Sequence, residues 1–134
     1  MGEQDLKVVR ALWDAWDRRE MPAMFELYDP EVTWDMRRSD VADMGVFHGH
    51  RGVRQFFTEW FESFDEYYAH AEDFVDAGDH VVVQVRQGGR GKGSGVNVEM
   101  PVYWQSHFVR GGKVVRVEIH RDRDEALAAA PDDS

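Results

Sequence analysis

The sequence predicts an α+β domain, with helices gathered on one face of a curved antiparallel sheet. Three observations support this: helical periodicity fills the first half of the chain, alternation with period two fills the second, and one short helix signal follows the last alternating segment. With 134 residues, 43% hydrophobic and 31% charged, the chain has the size and balance of one folded domain. A single domain over residues 1–134 is expected, ordered over about residues 4–130.

The elements follow in order. Leu6, Val9, Leu12, Trp13 and Trp16 recur at three- and four-residue spacing, with Asp5, Arg10, Asp14, Asp17 and Arg18 on other faces, which predicts an amphipathic first helix. Pro22 suits the first turn of a second helix through Met24, Phe25, Leu27 and Tyr28, which Asp29-Pro30 ends. Val32 to Asp35 is β-branched and aromatic enough for a short strand, and the polar stretch from Arg37 to Asp43 reads as a mobile loop. Gly49 to Gly52 opens a third helix, on which Val53, Phe56, Phe57, Trp60, Phe61 and Phe64 form an aromatic stripe that must be covered. Glu66–Ala77 and Val81–Arg86 then predict a hairpin turned by Gly78-Asp79. Gly88 to Gly95 reads as a flexible connection to a long strand, Val96–Arg110, which Gly111-Gly112 turns into a last strand, Val114–His120. Asp122 is a natural cap for a closing helix at Ala126 and Leu127, and Pro131 to Ser134 is expected to fray.

Composition also excludes partners and chemistries. A formal net charge of −10 argues against nucleic acid and anionic membranes, which need clustered Lys and Arg. With no Cys, the chain has no disulfide, thiolate zinc site or thiol nucleophile. The charged first ten residues lack the apolar core of a signal peptide, and no apolar run spans a bilayer, so a cytoplasmic location is expected. His48 and His50 with Asp40 and Asp43 hold metal-ligating atoms, but a His before a helix more commonly caps it, so no metal and no cofactor is expected. The run Gly88 to Ser94 is no phosphate loop, because Lys92 precedes Gly and the run joins two strands.

The phrases Phe47-His48-Gly49-His50-Arg51-Gly52-Val53-Arg54-Gln55-Phe56-Phe57, Val75-Asp76-Ala77-Gly78-Asp79 and Gly112-Lys113-Val114-Val115-Arg116-Val117-Glu118, in this order and spacing, resemble the SnoaL-like, nuclear-transport-factor-2-like superfamily over nearly the whole chain. The resemblance implies a cone-shaped α+β barrel around a pocket for a small, mostly apolar molecule, and a homodimer through the outer face of the sheet. Relatives include ketosteroid isomerase, limonene epoxide hydrolase, scytalone dehydratase and polyketide cyclases, besides binders without activity, so fold does not fix function. Asp35 stands where ketosteroid isomerase has its proton-shuttling aspartate. The place of that enzyme's oxyanion tyrosine falls on Ala11, and the place of the epoxide hydrolases' aspartate on Ile119.

The resemblance makes Asp35 the candidate general base, with its pKa raised by an aromatic pocket, for an isomerase, cyclase or dehydratase acting on an apolar carbonyl compound. The alternative is a non-catalytic ligand-binding or accessory dimer. Trp13, Trp16 and Tyr28 on the first two helices, and Phe57, Trp60 and Phe61 on the third, are the candidate pocket aromatics. On the last hairpin, counting from Gly111-Gly112 pairs His107 with Arg116, Gln105 with Glu118 and Tyr103 with His120, all on one face. Trp104, Ser106 and Phe108 then share the helix-packing face with Val115, Val117 and Ile119. Two arrangements are open: the polar face meets a partner or solvent, or a bulge turns Tyr103 or His107 into the pocket to hold a substrate oxygen. Tyr103, Trp104 and His107 complete the candidate ligand contacts.

Overall fold

In the computed structural model, which describes residues 2–130, two helices open the chain: α1 (Gly2–Asp17) and α2 (Met21–Leu27). Between them Arg19 takes the left-handed conformation at φ 59°, and its guanidinium lies 4.3 Å from the Trp16 ring centroid, a contact that compensates for the tight turn. Helix α2 stops at Leu27, because Pro30 cannot continue a helix. The strand that follows, β1 (Tyr28–Asp35), is twice the length expected from Val32–Asp35. The stretch read as a loop contains a single 3-10 turn at Ala42–Met44, and a short strand absent from the sequence reading, β2 (Val46–His48), leads into α3 (Gly49–Phe61).

The second half is sheet. Strands β3 (Phe64–Asp76) and β4 (Val81–Gly91) form the expected hairpin, but both run longer than predicted. Gly88 and Gly89 lie within β4. Glycine is needed at position 89, where a Cβ would collide with the backbone carbonyl of Glu66. The predicted strand Val96–Arg110 is two strands, β5 (Asn97–Glu99) and β6 (Tyr103–Arg110), interrupted around Pro101, which lacks the N–H a ladder needs. Strand β7 (Lys113–His120) and helix α4 (Arg123–Ala128) finish the fold, with the Asp122 carboxylate accepting from the Glu125 N–H as the cap.

The strands run in the order β2-β1-β7-β6-β4-β3, with β5 beside β4. β1 lies parallel to β7, and the other pairs are antiparallel. The fold is therefore α+β as expected, although the sheet does not close into a barrel: β2 and β3 remain its edges.

The last hairpin departs from its expected register in an informative way. From the turn outward, Arg110 pairs with Lys113 and Val109 with Val114, as simple counting gives. Then Val115 is left without a partner and Phe108 pairs with Arg116. Beyond that bulge, His107 faces Val117, Gln105 faces Ile119 and Trp104 faces His120. Because side chains alternate, one extra residue exchanges the faces. Tyr103, Gln105 and His107 share the inner face with Val117 and Ile119, while Trp104, Ser106 and Phe108 share the outer face with Arg116 and Glu118. The single polar face expected from Tyr103 to His120 does not exist. Helix α4 covers part of the outer face: Ser106 Oγ donates to the Ala126 carbonyl at 2.9 Å, and Phe108 stacks on His80 at 4.9 Å.

The core lies between the inner sheet face and helices α1 to α3. Phe56 is 5% exposed and packs on Trp34 at 5.1 Å and Phe47 at 5.2 Å, binding α3 to β1 and β2. The aromatic stripe of α3 is covered toward its middle, whereas Trp60 and Phe61 are half-buried, and Phe64 belongs to β3. Phe56→Ala should destabilise the domain by about 3–5 kcal/mol, measured by urea unfolding. A loss under about 1 kcal/mol would show that the α3–sheet interface is not the core.

Candidate functional site

Between the helices and the inner sheet face lies a cavity of about 210 Å³. Its size follows from its walls: planar rings held by one another cannot collapse to fill the space between them. Trp16 stacks on Phe61 at 5.5 Å and Phe61 on Phe57 at 5.6 Å, while Phe56 stacks on Trp60 at 6.1 Å. Trp16 Nε1 also donates to the Ala69 carbonyl at 2.9 Å, fixing α1 against β3.

Of the residues singled out from the sequence, Trp13, Trp16, Tyr28, Phe57, Trp60, Phe61 and Tyr103 line this cavity. Trp104 does not, because the bulge turns it to the outer face opposite Gln84 and His120. His107 points to the inner side but lies beneath the cavity floor, 1% exposed, behind Gln105. The structure adds residues that the sequence reading passed over: Tyr67 and Gln87 from the β3–β4 pair, Gln105 on the floor, and Ser39, Asp40 and Arg121 near the rim. Tyr67 and Gln87 stand on the cavity side of their alternating strands, so an inner-face count over β3 and β4 would have found them.

The polar groups of the floor are joined. His107 Nε2 and Gln105 Oε1 are 2.7 Å apart, and Gln105 Nε2 donates to the Tyr103 hydroxyl at 3.2 Å. Burial, reinforced by the nearby His80, pushes the His107 imidazole down to about 3, so the ring is neutral. Burial likewise pushes the Tyr103 phenol well above its ordinary value, so the hydroxyl keeps its proton. The Tyr67 hydroxyl donates to Gln87 Oε1 and is held by Trp60, and burial raises it to about 12. Two nitrogens of cavity residues, Trp13 Nε1 and His120 Nδ1, are buried without a partner among the described residues.

Asp35 is placed otherwise than expected. Trp34 pairs with Val117 and faces the cavity, so Asp35, beside Glu118, faces the outer side. There its fully buried carboxylate meets Arg116 at 2.6 Å, Arg37 at 2.8 Å and Arg38 at 3.3 Å. Burial by itself would raise its pKa, but the hydrogen bonds from Arg37 and the charges of Arg37 and Arg116 outweigh it and lower the carboxyl to about 2. The expected raised pKa is thus reversed. Arg116 also pairs with Glu118 at 2.8 Å, and His120 lies 3.2 Å from the other oxygen of Glu118. His48 and His50 are engaged in hydrogen bonds, with Thr33 Oγ1 at 3.1 Å and the Tyr28 carbonyl at 2.8 Å. Among the described residues no helix is long and apolar enough to cross a membrane.

The SnoaL-like domain pattern matches residues 9–117. In fold the chain is similar to TerC co-crystallised with polyporic acid, at 19% identity and TM-score 0.74 over 94% of this chain and 99% of that one. It is also similar to an NTF2-like protein of unknown function from Burkholderia pseudomallei, at 22% identity and TM-score 0.75 over 94% and 98%. A third likeness is to a putative polyketide cyclase from Sinorhizobium meliloti, at 19% identity and TM-score 0.66 over 85% and 94%. No curated protein matches the chain in sequence.

The arginine cluster makes stability depend on pH in a defined direction. Because the folded pKa of Asp35 lies below its unfolded value of 3.8, its contribution is complete above that value and is lost as pH falls toward about 2. The difference corresponds to about 2 kcal/mol. Urea unfolding of the parent and Asp35→Asn across pH 2–6 should therefore give stability curves that converge toward pH 2. Parallel curves would mean that the ion pairs contribute nothing.

Proposed function

The chain belongs to the SnoaL-like domain family, and on that premise we propose that it binds one small, mostly apolar molecule in the cavity between its helices and its sheet. The observation carrying this reading is the cavity itself: about 210 Å³, walled by Trp13, Trp16, Phe57, Trp60 and Phe61, with few polar groups. Sites for drug-sized ligands span roughly 300–1,000 Å³, so the occupant is of one- or two-ring size. The co-crystallisation of TerC with polyporic acid supports a small organic ligand for this fold. Catalysis by Asp35 as a base finds less support, because its carboxylate is held ionised among arginines on the outer side of the sheet. Of the two readings, ligand binding without a reaction at Asp35 is the one we adopt.

We further propose a homodimer through the outer sheet face, where Tyr68 is 36% exposed and Trp104 is half-buried. Sedimentation at micromolar protein should give twice the 15.5 kDa chain mass, and a single monomeric species would remove this proposal.

Trp13, Trp16, Trp34 and Trp60 all line the cavity, so intrinsic fluorescence reports occupancy directly. Naphthalene titrated into the protein should quench it with a dissociation constant in the micromolar range. Ala69→Leu, which projects extra methyl groups into the cavity, should weaken binding about tenfold or more while unfolding stays cooperative. If naphthalene fails to bind up to its solubility limit, the cavity reading is lost.

A further inference from the structure

We propose that the Tyr103 hydroxyl is the polar recognition element of this cavity, donating its proton to an acceptor oxygen, such as a ketone or quinone carbonyl, on the bound apolar molecule. Gln105 and His107 act as positioning residues that aim it. The proposal rests on the ligand-binding reading above and names the ligand class for that same site.

Hydrogen bonds along a single strand aim the Tyr103 proton. Positions 103, 105 and 107 share the inner face of β6, two residues apart, and their side chains form one chain of contacts: His107 to Gln105 at 2.7 Å and Gln105 to Tyr103 at 3.2 Å. Such a chain can run in either of two directions. In one, His107 Nε2–H donates to Gln105 Oε1, the Gln105 amide donates to the Tyr103 oxygen, and the phenolic proton is released toward the cavity. In the other, the tyrosine donates inward to a reversed amide, which donates to a bare His107 Nε2.

His107 Nδ1 decides between them. It is buried and has no partner among the described residues. In the first direction it carries a lone pair, a small deficit; in the second it carries an orphaned N–H, which folded proteins very rarely bury. The imidazole cannot evade the choice by taking a second proton, since burial keeps it neutral. The chain therefore runs outward, from His107 to Tyr103.

Tyr103 lines the cavity, and its oxygen is already an acceptor for Gln105, so its proton lacks an acceptor among the described residues. The other floor hydroxyl in a hydrogen bond, Tyr67, spends its proton on Gln87. Trp13 Nε1 adds a second buried donor without an acceptor. These two are donors, whereas the His120 imidazole pairs through Nε2 with Glu118 on the outer face, so the complementary ligand brings an acceptor. Sites built around a directed hydrogen bond discriminate against analogues that lack the matching atom far better than apolar walls discriminate by size.

The test uses two probes of nearly equal shape, 2-acetylnaphthalene, which carries a ketone oxygen, and 2-isopropylnaphthalene, which does not. Both are titrated by intrinsic fluorescence into the full chain and into Tyr103→Phe and Gln105→Glu. The parent should bind the ketone about tenfold more tightly than the hydrocarbon, and the infrared carbonyl band of the bound ketone should shift to lower frequency. Tyr103→Phe should abolish both the preference and the shift, the ketone losing more affinity than the hydrocarbon. In Gln105→Glu, the carboxylate can only accept, so it should capture the phenolic proton and abolish the preference although the hydroxyl is still present. Equal binding of both probes to the parent, or a preference that survives Tyr103→Phe, overturns the proposal while leaving the cavity reading intact. A preference lost in Tyr103→Phe but kept in a folded Gln105→Glu overturns the direction of the chain. Failure of both probes to bind the parent overturns the cavity reading and this proposal with it. Should Gln105→Glu fail to fold, Tyr103→Phe and the carbonyl band still decide whether Tyr103 is the donor.

Discussion

The unpaired Val115 is the constraint on which the rest of this architecture turns. Strand β7 must present Val117 and Ile119 inward, because β7 lies parallel to β1 and Val117 pairs there with Trp34, a cavity residue. Without the extra residue, that requirement would bring Trp104, Ser106 and Phe108 inward with them and fill the space between sheet and helices. The bulge breaks the linkage, so β6 faces inward with Tyr103, Gln105 and His107 instead. It also creates a debt on the other side, since Phe108 now points outward. Helix α4 answers it by lying across that face, where Ser106 and His80 both bond to the Ala126 carbonyl, at 2.9 Å and 2.8 Å, and Phe108 is sheltered against the His80 ring.

A polar floor inside an apolar chamber is costly unless its members satisfy one another, since a buried amide or hydroxyl without a partner costs about 1–3 kcal/mol. The spacing of Tyr103, Gln105 and His107 meets part of this cost within one strand, leaving the Tyr103 proton and His107 Nδ1 without partners among the described residues. The helices are then free to supply rings. Trp16, Phe57 and Phe61 brace one wall by stacking, and Trp34, Phe56 and Trp60 brace another. Aromatic walls are stiff because each ring has few rotatable bonds, and stiffness keeps a chamber open that flexible aliphatic side chains would close.

Much of this was legible from the chain. The periodicities located three helices and the sheet, Asp122 marked the last cap, and seven of the cavity aromatics followed from helix faces and from the family resemblance. What the chain concealed has physical causes. A bulge leaves the same alternating pattern on both sides of the slip, so no local composition announces Val115. Strand β2, at Val46–His48, is three residues long and exists because β1 offers it an edge, a tertiary effect that propensity does not register. Asp35 was legible as a position and illegible as an environment. Its three arginine partners come from a neighbouring loop and from Arg116, 81 residues away.

That environment bears on what the chamber can do. Strand β1 serves both sides of the sheet, giving Trp34 to the cavity and Asp35 to the arginine cluster, and alternation forbids one register from giving both to the same side. In a chain of net charge −10, a buried carboxylate would be expected to repel its neighbours, and gathering Arg37, Arg38 and Arg116 around it turns that liability into cross-links between β1, β7 and the following loop. The consequence for chemistry is a separation of roles. Among the described residues lining the cavity, the one carboxylate is Asp40, which stands near the rim 3.8 Å from Arg121. General-base catalysis requires an acceptor of protons within reach of the bound molecule. The Tyr103 hydroxyl and the Trp13 indole are buried donors without acceptors among the described residues, so one sheet keeps these surplus donors on the side opposite the Asp35 carboxylate.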